Sequence, residues 1–163
     1  MTNELLLPIR YIHVLSASIW LGEVYVINFI MIPILSKNDK EGKSEMLMTV
    51  FPMLFRMASI LSAITVLTGA ILLWLYTGFD ISLTSTNRWE FALIIGGILG
   101  LLLTFFHFFL ETKLAKLIYP KDACMIEQNH NLVYSRLKII PRIGLVVITS
   151  IFLLMMFATR GYN

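Results

Sequence analysis

Two ionisable side chains in the first long apolar run of the chain are the strongest candidates for chemistry. His13 lies near one end of this run and Glu23 lies near its middle. An ionisable side chain in hydrocarbon costs roughly 2.5–3.5 kcal/mol on insertion scales, so each one indicates a functional role by default. An imidazole binds haem iron or copper through a ring nitrogen, and a carboxyl group inside a membrane holds or passes protons.

His13 lies on a helical face that suits a flat cofactor. At 3.6 residues per turn this face carries small residues and an aromatic ring beside the histidine, namely Ser16, Ala17, Trp20, Val24 and Ile27. The pattern favours His13 as a ligand with Trp20 beside it. The alternative is a histidine that is hydrogen-bonded within the bundle near the outer membrane interface.

His107 is the second candidate metal ligand, and a haem b with two axial histidines would need it close to His13. Counting 1.5 Å per residue from the start of each apolar run places the two histidines about 20 Å apart in depth, too far for one iron. The same count places Glu23 about 22 Å deep, near the level of His107. Glu23 and His107 are therefore the candidates for a proton relay or a buried pair. His130, in a loop, is expected to be solvated.

The other residue types narrow the function classes. Nine methionines are scattered along the chain, and although thioethers suit Cu(I), methionine is also a common filler of apolar cores. The single cysteine, Cys124, excludes an intramolecular disulfide and a site built on a cysteine pair. The sequence shows no nucleophile triad, phosphate loop, zinc motif or nucleic-acid surface, so no nucleic-acid partner is expected.

Four apolar segments must position these residues. The chain has 163 residues, of which 58% are hydrophobic and 14% charged, and its mean hydropathy is +0.80. This composition is typical of an integral membrane protein. The runs 8–35, 53–76, 89–110 and 139–159 approach or exceed the ~20 residues that span ~30 Å of hydrocarbon. We expect an all-α fold, a single transmembrane domain over 1–163 built as a four-helix bundle.

The prolines predict where the helices begin and end, and the basic residues predict how the helices are oriented across the membrane. Pro8 is expected to start the first helix and Pro33 to lie at its end, whereas the third helix is expected to extend towards Lys116. Ten of the thirteen cations fall on the side of loops 36–52 and 111–138. The positive-inside rule then predicts a multi-pass plasma-membrane protein with these loops in the cytoplasm and both termini outside. No cleavable leader is expected, because the first residues are not basic.

Small residues mark the predicted packing faces. Ala58, Ser62, Thr65 and Gly69 form one stripe of the second span, and Gly96 and Gly100 form a GxxxG pattern in the third. Such stripes let helix backbones approach closely in lipid. The simplest interpretation is packing within one chain; a cofactor against the glycines and a homo-oligomer interface are the alternatives.

Three segments resemble a known membrane family. Arg10-x-x-His13 followed by Trp20-x-Gly22 resembles the first helix of the copper-resistance D (CopD-like) membrane domain and of the related HemJ-like protoporphyrinogen oxidases. The second helix of these proteins is similar to Arg56 with Leu67-Thr-Gly69-Ala-Ile-Leu72. The start of their fourth helix is similar to Tyr134-Ser-Arg136 with Ile140-Pro141-Arg142-Ile-Gly144.

The resemblance implies a haem or copper function. HemJ-like proteins bind haem b through the first-helix histidine, which implies His13, with Trp20 and Gly22 as neighbouring cofactor-binding positions. They also need a lysine in the third helix, where this sequence has Glu90-Phe-Ala-Leu, so protoporphyrinogen oxidation is not expected. CopD-like proteins are associated with moving copper across the membrane. Three functions stay open: a haem b or copper protein using His13, a copper permease without haem, and a non-catalytic subunit of a membrane complex such as a copper-containing oxidase or monooxygenase.

Overall fold

The computed structural model describes residues 2–37, 40–77, 88–118 and 139–160, which are helical except for a turn at Ile139. The helices are α1 (Thr2–Val26), α2 (Ile32–Lys37), α3 (Lys40–Thr77), α4 (Arg88–Ile118) and α5 (Ile140–Arg160); a π-helical turn, Ile27–Met31, joins α1 to α2. Within these residues, four stretches are long and apolar enough to cross a membrane: Glu4–Lys37, Glu45–Tyr76, Phe91–Leu110 and Ile140–Ala158. The predicted all-α fold with four spans is confirmed.

The helices pack as a ring of neighbours. α1 packs on α3, α3 on α4, α4 on α5, and α5 closes the ring against α1. α1 and α3 run antiparallel, since His13 is bonded to Thr65 whereas Glu23, further along α1, lies against the backbone at Ala58. This order makes α3 the helix that supplies most contacts to the ionisable residues of α1.

The core consists of two apolar clusters stacked along the bundle. The first, near the middle, contains Trp20, Val24, Ala58, Leu103 and Ile148. The second, beyond it, contains Ile27, Ile32, Leu35, Leu47, Phe51, Phe55 and Leu110. Many other large apolar side chains, such as Phe105 and Met53, face outward. A packed interior with an apolar exterior suits a lipid bilayer, because the hydrocarbon core contains no water and exposed apolar side chains cost nothing there.

Helix ends differ from expectation at the prolines. α1 begins at Thr2, so Pro8 lies within it, and the helix carrying Pro33 continues to Lys37. Pro52 also lies inside α3, which begins at Lys40 and so includes much of the predicted loop 36–52. Membrane helices tolerate proline because neighbouring helices and local adjustments such as π-turns satisfy the freed backbone groups. The Ile27–Met31 turn ends two residues before Pro33 and is such an adjustment.

The remaining boundaries follow the predictions where the structure describes them. α4 extends past Lys116 to Ile118, and Pro141 lies in the first turn of α5. The amides of Arg142 and Ile143 donate to the Ile139 carbonyl at 3.1 and 3.2 Å, which closes that turn. The sequence also predicts a loop over 77–87; its first residue, Thr77, ends α3, and the rest lies outside the described residues, as does most of the connector that carries Cys124 and His130.

The α3 stripe and Gly96 of the α4 pattern lie at packing faces within the chain. Ala58 and Ser62 are completely buried, and Ser62 lies one helical turn from Thr65, which bonds to α1. On α4, a Cβ at Gly96 would lie 2.5 Å from Cε of Met155, so this glycine lets α5 approach. Gly100, the second glycine of the pattern, and Gly97 have no atom within 4 Å of a Cβ built there, and Gly97 faces outward. The simplest interpretation, packing within one chain, is confirmed for Gly96 and for the α3 stripe.

Asn28, inside the π-helical turn, links α1 to α5. Its Nδ2 donates to the Val24 carbonyl at 2.8 Å and to the Pro141 carbonyl at 2.9 Å. The π-helical turn breaks the regular backbone ladder, and π-turns are frequently found at functional sites. One amide side chain therefore caps the irregular turn and fixes the start of α5 against it.

Replacing Asn28 by Ala is expected to destabilise the bundle by about 1–3 kcal/mol, because buried carbonyl groups lose their donor. The melting temperature of the purified protein in detergent should fall by several degrees. Ser36→Ala is the matched control, since the exposed Ser36 hydroxyl only bonds to Pro33 on its own helix. Equal melting temperatures for Asn28→Ala and Ser36→Ala would show that the link between α1 and α5 contributes nothing.

Candidate functional site

His13 is held by the backbone of α3. Its Nδ1 lies 2.9 Å from the carbonyl oxygen of Thr65 and 3.2 Å from Oγ1 of Thr68. A carbonyl oxygen only accepts, so Nδ1 carries the hydrogen and donates it. The Thr68 hydroxyl donates in turn to the Ile64 carbonyl at 2.7 Å and is left as an acceptor for His13. This pattern leaves Nε2 with its lone pair, and Nε2 makes no hydrogen bond to the described residues.

Gly69 provides the space for the imidazole ring. A Cβ at this position would lie 3.0 Å from Cε1 and 3.4 Å from Nδ1 of His13. Gly69 is one turn beyond Thr65, so the residue that bonds the ring and the residue that makes room for it share one face of α3. The predicted small-residue stripe therefore also seats the candidate ligand.

A second hydrogen-bonded link joins the two helices one turn further in. Oγ1 of Thr65 lies 2.9 Å from the Ser16 hydroxyl, which donates to the His13 carbonyl at 3.1 Å. Thr65 thus contacts α1 through both its carbonyl and its hydroxyl. The position of His13 relative to α3 is fixed by this pair of contacts rather than by burial alone.

Trp20 and His107 meet in the middle of the bundle. Their ring centroids are 5.7 Å apart in an edge-to-face arrangement, and Trp20 is only 3% exposed. His107 therefore lies at the level of Trp20, which is seven residues, or about 10 Å, from His13 along α1.

The predicted depth difference of about 20 Å between the two histidines was therefore too large. It was counted from Pro8, whereas α1 begins six residues earlier, at Thr2. A separation of about 10 Å still prevents both histidines from binding one iron, because metal–nitrogen bonds are about 2 Å long. The two candidate metal ligands occupy separate levels of the bundle.

Glu23 is buried where α1 packs on α3. It is 5% exposed, and it lies against the backbone at Ala58. Both of its carboxyl oxygens are buried without a hydrogen bond to any described residue, so none joins it to His107. His107 contacts the ring of Trp20, which lies one helical turn before Glu23 on α1.

Gly22, a predicted cofactor-binding residue, lies apart from this site. It faces the exterior of the bundle, and a Cβ built there would meet nothing within 4 Å. Sequence reasoning missed Thr104, which is buried on α4 three residues before His107, with its hydroxyl unbonded among the described residues. It also missed the two α3 residues that bond His13. Helical spacing from His107 would have pointed to Thr104, whereas only the packing of α3 on α1 reveals Thr65 and Thr68.

The described residues contain no group of three or more His, Cys, Asp or Glu side chains placed to hold a metal ion. A site with one open imidazole suits a cofactor that brings its own ligands. In haem the macrocycle supplies four nitrogens, and a single proximal histidine is sufficient in several haem proteins. The His13 arrangement fits such a group, since Nε2 is open and the residues beside it, Ser16, Ala17 and Gly69, are small.

A bundle of four apolar, membrane-length helices with a buried carboxyl group and two half-buried histidines defines a multi-pass integral membrane protein. The chain belongs to the DUF4149 family, described as a domain of unknown function, which matches residues 15–119. The match includes Trp20, Glu23 and His107; it begins two residues after His13 and does not reach α5. No curated protein and no solved structure shows significant similarity to the chain.

Proposed function

We propose that this protein is a membrane-embedded haem b protein in which His13 is the protein ligand to the iron, with a role in electron transfer or metal handling. One observation carries the proposal: Nδ1 of His13 donates to the Thr65 carbonyl, so Nε2 is directed away with its lone pair available. Metal-ligating histidines almost always donate their other ring N–H to a carbonyl, carboxylate or water, which fixes the tautomer and raises ligand basicity. The resemblance to CopD-like and HemJ-like proteins supports the same residue.

The surrounding residues support haem over copper as the cofactor. Copper sites in proteins use several converging side chains, and the described residues offer no group of three His, Cys, Asp or Glu for one. Met155, one candidate thioether, packs against Gly96 on α4 instead. Haem needs only the single imidazole that His13 provides. When bound, haem supplies one-electron redox chemistry, while the chain supplies an oriented ligand and an apolar surrounding.

The distribution of basic residues supports an orientation for the site. With loops 36–52 and 111–138 in the cytoplasm and both termini outside, His13 lies in the outer half of the plasma membrane. A haem there would exchange electrons most directly with a partner at the outer surface or with a second subunit in the membrane. Copper permeation without haem and a non-catalytic role in a membrane complex, such as a copper-containing oxidase or monooxygenase, are the alternatives that the following experiment separates.

The test is a dithionite-reduced-minus-oxidised visible spectrum of the detergent-purified protein, with metal analysis on the same sample. We expect a Soret band and an α-band of b-type haem at close to one haem per chain. A blank spectrum with bound copper would replace the haem proposal by copper permeation. A blank spectrum without metal would overturn both the haem and the copper-permeation proposals. The protein would then be a non-catalytic subunit, and the proteins that copurify with it would be identified next.

A further inference from the structure

A row of hydroxyl groups lies along the face of α3 that packs on α1. Ser59, Ser62 and Thr65 follow one another at three-residue intervals, about 4.5 Å per step along the helix axis. Ser59 and Ser62 are 3% and 0% exposed, and the Ser62 hydroxyl donates to the Ser59 carbonyl at 3.0 Å. We refer to these three side chains as the hydroxyl row. The Thr65 hydroxyl also lies 2.8 Å from the Leu61 carbonyl, so Ser62 and Thr65 each have a backbone acceptor on their own helix. A hydroxyl that turns away from such a carbonyl can both donate and accept, which suits proton movement.

The two ends of the hydroxyl row lie near the two ionisable residues of α1. At one end, Thr65 bonds to His13 through its carbonyl and to Ser16 through its hydroxyl. At the other end, Ser59 follows Ala58, whose backbone lies against Glu23. The distance from Thr65 to Ala58 is seven residues, about 10 Å along the axis. The row therefore runs from the level of the histidine to the level of the carboxyl group.

Glu23 is the second, independent observation. Its carboxyl group is 95% buried, and neither oxygen accepts a hydrogen bond from a described residue. A carboxylate in this position would lose its hydration with nothing to replace it, whereas the neutral acid is far less costly to bury. The negative charge of a buried Glu23 carboxylate must therefore be neutralised by a positively charged species, and a proton is the smallest one.

The other ionisable groups around Glu23 do not supply this charge. On α1 the inward-facing one is His13, three turns away, and on α4 the ring of His107 packs on Trp20, one turn before Glu23. The nearest cations on α3 and α5, Arg56 and Arg142, are exposed. None of these side chains is hydrogen-bonded to Glu23.

We propose that Glu23 is a proton-binding site in the middle of the membrane, and that the hydroxyl row is the path by which protons reach it from the level of His13. In the step, a hydronium ion at the His13 end gives up a proton and becomes water. Each hydroxyl turns from its backbone acceptor, accepts one proton and gives up another, so that one O–H bond breaks as the next one forms, and the last O–H bond forms on a Glu23 carboxyl oxygen. The chain's net charge rises by one. The site needs no cofactor, so this inference goes beyond the haem proposal and does not depend on it.

Infrared difference spectroscopy tests the site directly. The protein without added haem, in lipid nanodiscs, is compared between alkaline and acidic buffer, in H₂O and in D₂O. We expect a carboxylic-acid C=O band that shifts in D₂O, is lost in Glu23→Gln and is kept in Glu45→Gln, whose carboxyl group is exposed. Glu23→Asp, which keeps a carboxyl group, should move the band rather than remove it. A band unchanged in both Glu23 variants would overturn the proposal.

The path is tested by the rate at which the Glu23 band shifts after transfer to D₂O. We expect Ser62→Ala and Thr65→Val to slow this exchange by about tenfold, the effect of adding roughly 1.4 kcal/mol to a barrier, without changing the final spectrum. Ser150→Ala on α5 is the control, because its hydroxyl is exposed and bonds to its own helix. Unchanged rates in both row variants would overturn the path. If the purified wild-type protein contains no haem, the haem proposal is contradicted, but the proposal for Glu23 is not.

Discussion

Replacing His13 by Ala is expected to reduce the haem content of the purified protein from close to one per chain to background, while membrane insertion stays intact. The imidazole is the only proposed protein ligand, and its Nδ1–H bond to Thr65 positions the ring without stabilising the whole bundle. Losing one hydrogen bond at a half-buried position costs about 0.5–1.5 kcal/mol, which is small for a helix held by extensive apolar contacts. Haem per chain is measured from the absorption spectrum, and insertion from the membrane fraction.

His107→Ala is the matched control for this experiment. It removes the other described histidine, which lies about 10 Å from His13 along the bundle and contacts Trp20 instead of α3 residues near His13. We expect this variant to keep its haem. If His13→Ala retains haem and His107→Ala loses it, the ligand is His107 and the site lies in the middle of the membrane. If both variants retain haem, neither described histidine is the ligand.

Replacing Gly69 by Val is expected to weaken haem binding by about 10–100-fold, the range seen when residues that orient a metal ligand are changed. A Cβ at this position would already lie 3.0 Å from Cε1 of His13, and the additional methyl groups of valine would occupy the space of the ring. Because the α3 backbone at Gly69 cannot move aside, the imidazole would have to move and break its hydrogen bond to Thr65. His13 would still be present in this variant, so weaker haem binding would show that the position of its ring matters.

Gly97→Val is the control for Gly69→Val. Both substitutions place a β-branched residue inside a membrane helix, but Gly97 faces outward and has no neighbour within 4 Å of a Cβ. Haem affinity is measured by titrating haem into the protein purified without it. Similar affinities in the two variants would mean that His13 does not need its place beside Gly69, and the haem would then have to bind through another residue.

Many local features of this protein follow from its sequence. The length and apolarity of each run determined four spans, because a helix that crosses hydrocarbon needs about 20 apolar residues regardless of its neighbours. Helical periodicity predicted the inward face of α1, where Ser16, Trp20 and Val24 are indeed buried. The spacing of small residues on α3 predicted a packing face, and Ala58 and Ser62 lie in one.

The packing of the helices sets which helix faces contact each other and at what depth in the bundle they do so. Each residue of axial offset moves a side chain by 1.5 Å and 100° around the helix, so an error of six residues at the start of α1 changed the expected depth of His13 by about 9 Å. The sequence places Glu23 and His107 at similar depth, but it does not show that His107 packs on the ring of Trp20.

The class of this protein, its inward-facing residues and its candidate ligand follow from the amino-acid sequence alone. Only the packing of α3 on α1 determined which nitrogen of His13 is open, that Gly69 makes room for the ring, and that Glu23 lies at the end of a hydroxyl row. The reason is physical: apolarity and periodicity are properties of a single helix. Hydrogen bonds between helices depend on the offset and rotation of two helices, which the fit of all side chains sets together.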